Sequence, residues 1–106
     1  MSARSFDIFH PKKYGNVRVT KHNTVELHGN EIVIWVNDGV MINSCGWFTV
    51  TTKTAINNAL QQLETRHSVY QKKFNWYIYN HDTGESREFS NGLNKILYPN
   101  STIRMI

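Results

Sequence analysis

The stretch Thr52-Lys53-Thr54-Ala55-Ile56-Asn57-Asn58-Ala59-Leu60-Gln61-Gln62-Leu63 decides the fold. Its apolar residues Ala55, Ile56, Ala59, Leu60 and Leu63 follow the spacing that puts one stripe on a helix, with Lys53, Asn57, Asn58, Gln61 and Gln62 largely outside it. The spacing predicts a helix over residues 52–66. Thr51 or Thr52 is expected to cap its first turn, because a hydroxyl accepts from the orphan amides there and the β-branched run Thr49 to Thr52 resists an earlier start. No other part of the chain has this period. A lone amphipathic helix between β-prone segments must bury its stripe on their sheet, so the predicted class is α+β. We expect an antiparallel sheet of about five to seven strands with one main helix packed on one face.

Upstream, Val17 and Val19 alternate with Arg18 and Thr20, Lys21-His22-Asn23 turns the chain, and Val25 and Leu27 alternate with Glu26 and His28. This is a hairpin pattern. After a Gly29-Asn30 turn, the near-continuous apolar run Ile32 to Val36 predicts a central strand with both faces at least partly covered. Asn37-Asp38-Gly39 predicts a tight turn of positive φ, and Val40 to Asn43 the partner strand. Gly46-Trp47 then leads into the helix, with Trp47 expected to close the core beneath it.

Downstream, Val69 to Lys73 and Phe74 to Tyr79 are β-prone, with Phe74, Trp76 and Ile78 on one face and Tyr77 and Tyr79 on the other. His81-Asp82-Thr83-Gly84 is a turn before a strand Ser86 to Phe89, and Asn91-Gly92 is another turn. Leu93 to Tyr98 fits either a strand or a short helical turn, and Thr102 to Ile106 a last edge strand. The predicted core is Ile32, Ile34, Val36, Val40, Ile42, Trp47, Ile56, Ala59, Leu60, Leu63, Trp76 and Ile78.

At 106 residues the chain is one domain, residues 1–106, with residues 1–15 a loose arm whose Phe6, Ile8 and Phe9 dock on the core or pair as an edge strand. A composition 40% hydrophobic and 19% charged is globular. The net charge of +4 permits weak attraction to polyanions. A single cysteine, Cys45, allows no intrachain disulfide and suits a reducing compartment. The chain has no apolar run long enough to span a bilayer, so an intracellular protein without membrane partners is expected.

Catalytic motifs are absent. The glycines form neither a GxGxxG nor a Walker run, and the histidines lack the spacing that puts two imidazoles on one metal. Cys45, on a strand-to-helix turn, reads either as a nucleophile or as a small buried apolar residue. No cofactor or metal is expected, and the chain is not expected to be an enzyme of any motif-defined class. The patch with most chemistry is aromatic and basic. Lys72, Lys73, Tyr77 and Tyr79, joined by Arg87 and by Lys12 and Lys13 of the arm, would present stacking rings beside cations, the layout of a single-strand binding sheet. The plain alternative is that tyrosine is a good strand former whose hydroxyl suits a rim.

The order Leu27-His28-Gly29-Asn30, Gly46-Trp47, Thr51-Thr52-Lys53, Asn57 with Leu60, Tyr70-Gln71-Lys72-Lys73, Trp76-Tyr77 and Phe89-Ser90-Asn91-Gly92-Leu93 resembles a group of small bacteriophage-encoded proteins of unknown function. The match covers residues 24 to 93. It implies a phage origin and the cytoplasm of an infected cell, and it carries over no catalytic residue. The expected function is that of a phage accessory protein acting by non-catalytic, stoichiometric binding to a host protein such as a defence or transcription factor. The alternatives are nucleic-acid binding through the aromatic and basic patch, and sequestration of a small nucleotide ligand.

Overall fold

Helix α1 spans Val50–Gln62, beginning two residues before and ending four before the predicted range. The computed structural model describes residues 6–90 and 92–97. Thr49 is the N-cap: its extended backbone (φ −117°, ψ 163°) lets Oγ1 accept from the Thr52 amide at 3.2 Å. The hydroxyls of Thr51 and Thr52 are therefore not the cap. Val50 and Thr51 tolerate helical geometry because, in a first turn, no preceding turn crowds their branched β-carbons. Thr49→Ala should cost about 1 kcal/mol in a urea titration, and Thr51→Ala much less.

The helix stops at Gln62 because Glu64 turns left-handed (φ 55°). The Thr65 amide then reaches Leu60 O at 3.2 Å and the Glu64 amide reaches Gln61 O at 3.0 Å, satisfying two final carbonyls in a Schellman pattern. Ala55, Ile56, Ala59, Leu60 and Leu63 are all buried, as the period requires. The stripe packs on β4 and β6.

The strands form two antiparallel sheets instead of one. The larger has the order β1 (Lys12–Tyr14), β2 (Val17–Val19), β3 (Thr24–Leu27), β4 (Asn30–Val36), β5 (Gly39–Ile42) and then β9 (Asn94–Leu97). The smaller is β6 (His67–Lys72), β7 (Asn75–Asn80) and β8 (Ser86–Glu88). The fold is thus α+β, with β4 central as expected. Of the segment Leu93 to Tyr98, Asn94–Leu97 form a strand, and Thr102 to Ile106 lies outside the described residues.

Both faces of β4 are partly covered, as expected, since the successive residues Ile34 and Trp35 are each half-buried, and a bulge adds to its buried apolar run. Between Val25↔Val33 and Glu26↔Glu31 the register skips Ile32, a bulge that turns both Ile32 and Val33 into the core. Ile34 is only half-buried, and Val36 is 38% exposed. The core list also lacked the first hairpin. Val17↔Leu27 and Val19↔Val25 pair across β2 and β3, and all four side chains are buried.

Turn chemistry departs from the sequence pattern. Gly39 lies in β5, and neither Asn37 nor Asp38 takes a positive φ, so that turn is not of the primed type. His28-Gly29 (φ 53° and 82°), Cys45-Gly46 (55° and 83°) and Lys73-Phe74 (51° and 71°) have the paired positive φ of type I′ turns. Phe74 therefore leaves the strand, and at 94% exposure it does not share the buried face of Trp76 and Ile78.

Two helix amides tie flanking segments to α1. Asn57 grips the backbone of Val69, donating from Nδ2 to its carbonyl at 2.9 Å and accepting its amide at 2.7 Å. Gln62 does the same for the arm, accepting from Ile8 N at 2.9 Å and donating to Phe6 O at 2.6 Å. The arm thus docks with Phe6 and Ile8 buried, while Phe9 stays outside and the edge strand is Lys12–Tyr14, not Phe6 to Phe9.

Candidate binding surface

Alternation along β6 and β7 separates two faces of the small sheet. Val69 faces the same side as its partner Ile78, and Trp76 joins them inside. The outer face carries Tyr70, Tyr77 and Tyr79, all half-buried by one another. Tyr70 and Tyr77, directly paired, stack at 5.4 Å and 23°, and Tyr79 meets Tyr70 edge-on at 6.4 Å. Tyr70 Oη donates to Ser86 Oγ at 2.9 Å, and Tyr79 packs edge-on against His81 at 4.8 Å. This network holds the rings in place. Lys72 and Lys73 are exposed at the tip of the same hairpin.

The other cations of the predicted patch stand apart. Lys12 and Lys13 lie in β1, an edge strand of the larger sheet, with Lys12 Nζ 5.0 Å from the Tyr14 ring centre. Arg87 pairs with Ile78 and so extends from the inner side, where Nη2 donates to Lys95 O at 2.5 Å. There it lines an open cleft of about 460 Å³ with His67, Ile78, Asn80, Glu85 and Ser86. The structure therefore gathers Lys72, Lys73, Tyr77 and Tyr79 and excludes Lys12, Lys13 and Arg87 from that group.

A second surface was missed by sequence reading. The Cys45-Gly46 turn, closed by Trp47 N donating to Ser44 O at 2.9 Å, throws Trp47 outward instead of under the helix. Trp47 is 52% exposed, Phe48 47% and Val50 65%. The inner edge of Phe48 packs on Trp76 (5.0 Å, 79°) and Phe89 (6.2 Å, 81°), which fixes the loop to the core. Trp47 borders His28, with ring centres 6.4 Å apart. The signal for an outward Trp47 was the dipeptide Cys45-Gly46, in which glycine permits a reversal just before the tryptophan.

Cys45 is half-buried, its Sγ donating to Glu31 O at 3.3 Å. Burial first, and the nearby Glu31 charge second, push the thiol above its ordinary pKa, so it is not a thiolate at neutral pH. Among the described residues no cluster of His, Cys, Asp and Glu has the geometry to hold a metal ion, and no helix is long and apolar enough to cross a membrane.

The molecule so defined is a small antiparallel α+β protein with exposed aromatic side chains. The chain belongs to the Kyanoviridae Gp96 protein family, whose model matches residues 8–96. No curated protein matches the chain. No solved structure matches it either.

Proposed function

We propose that this chain is a phage accessory protein that acts by non-catalytic binding to a protein of the infected host cell, through the surface made by Trp47, Phe48 and Val50. The observation that carries this reading is the exposure of three apolar side chains close together in the chain, Trp47 and Phe48 in the loop and Val50 in the first turn of α1, with Phe48 held from behind by Trp76. Full burial of such a side chain contributes roughly 1.5–3 kcal/mol, of which these three, half to two-thirds exposed, recover only part, and isolated monomers seldom leave contiguous apolar patches in water. Trp47 is the natural anchor, because tryptophan dominates the few side chains that carry most interface energy. Charges of both signs border this surface, Lys53 in the first turn of α1 and Glu31, whose carboxylate acts on Cys45, and a neighbouring carboxylate favours a protein over a polyanion. A defence or transcription factor of the host fits the small size and stoichiometric mode of action.

The test is retention of a host protein from lysate at stoichiometric yield, followed by affinity measurement on the purified pair. Trp47→Ala should weaken binding by at least about 2 kcal/mol, roughly 30-fold, while folding stability changes by about 0.5 kcal/mol or less. Cys45→Ser should keep the interaction, in line with a binding role in which the neutral thiol takes no part. Retention of a partner unaffected by Trp47→Ala would sink this choice of surface.

A further inference from the structure

We infer that the β6–β7 hairpin forms a second binding site, for single-stranded nucleic acid: Phe74 at the tip stacks on a base while Lys72 and Lys73 hold adjoining phosphates. Among the described residues Phe74 is the most exposed of the large hydrophobic side chains, and it sits in a left-handed conformation that a bulky residue rarely adopts. Lys73 beside it is left-handed as well, in a turn where asparagine and glycine are the usual residues. The fold recovers nothing for this strain by burying the ring, and unrecovered strain at an exposed tip points to a ligand.

Charge identifies the ligand class. From His67 to Asn80 the hairpin carries Lys72 and Lys73 and no carboxylate. Glu88, which β8 places opposite Tyr77, lies two residues further from the tip than Asn75, the partner of Lys72. Behind the tip, the stacked Tyr70 and Tyr77 offer braced rings that continue the aromatic surface along the outer face. Rings joined to cations suit unstacked bases, whose faces are open, more than a duplex, whose bases are covered. This site is separate from the Trp47 surface and rests on a different observation.

Fluorescence anisotropy of the full chain with labelled oligodeoxythymidine, and with its duplex on oligodeoxyadenosine, tests the proposal across a salt series. The single strand should bind more tightly than the duplex. Its log affinity should fall linearly with log salt at a slope of about 1.4, or roughly 0.7 for each lysine-held phosphate. Lys72→Ala should remove about 0.7 from that slope, and the exposed turn variant Lys21→Ala should leave it unchanged. Phe74→Ala and Phe74→Gly should each weaken binding by roughly 5- to 150-fold. Glycine suits the left-handed backbone, so Phe74→Gly should match or exceed the parent in Tm, which separates loss of the ring from loss of the fold. Absence of binding at the lowest salt, or binding that neither Phe74 variant alters, overturns the proposal. Retained oligonucleotide affinity together with lost capture of a host protein in the Phe74 variants would overturn it too, assigning the tip to the protein surface.

Discussion

Leu60→Ala lowers the unfolding free energy by about 2–5 kcal/mol, the range for emptying a leucine-sized volume in a packed core. Leu60 is fully buried in the middle of the stripe that α1 presses onto β4 and β6, so the void would open between the helix and both sheets. Its carbonyl, which accepts from the Thr65 amide and from Thr65 Oγ1 at 3.3 Å, remains, and the end of the helix is preserved. The loss therefore belongs to packing. Urea denaturation followed by far-ultraviolet circular dichroism reads it directly, and a change well under 1 kcal/mol would mean that the helix is not docked as described.

Asn57→Ala should be nearly as damaging, at about 2–4 kcal/mol, although it removes almost no apolar surface. Val69 is buried, so without the side-chain amide both its N–H and its C=O lose their partners away from water. Asn57→Asp provides a directional check. The new carboxylate keeps an acceptor for the Val69 amide but sets a negative charge against the Val69 carbonyl, which disfavours the ionised form and raises the folded-state pKa. Stability relative to the parent should then be better at pH below the ordinary aspartate value and fall as pH rises through the raised folded-state value. A variant whose deficit did not deepen with rising pH would show that the carbonyl is not held by this side chain.

How far the fold could be read from sequence follows from the range of each interaction. The helix and the strands on either side of it depend on period, a local property, and they appear where the period puts them except at their ends, where caps and turns decide. Val17 to Leu27 were legible as a hairpin but not as core, because alternation does not say which sheet face the helix will cover. The apolar run of β4 correctly announced partial cover on both faces, but not that a bulge would give the successive Ile32 and Val33 one direction into the core. The inversions at Lys73-Phe74 and Cys45-Gly46 decide that Phe74 and Trp47 face outward. Lys73-Phe74 lacks the asparagine or glycine that announces such a turn, and Cys45-Gly46 announces it only through its second residue. Asn57 and Gln62 read as polar helix surface, since a side-chain amide's backbone partner 12 or more residues away leaves no trace in the local pattern.

The order of the larger sheet has a consequence for the chain as it is being made. Strands β1 to β5 are joined in sequence and can pair as they emerge, whereas β9, which covers the open side of β5, follows only after the helix and the whole of the smaller sheet. Until Asn94 to Leu97 arrive, the backbone groups of Gly39 to Ile42 on that side are a bare template for another strand. Nascent chains stalled before Asn94 would therefore present to one another a pairing surface on β5 that the finished molecule covers with its own last described strand, a hazard of self-association during synthesis.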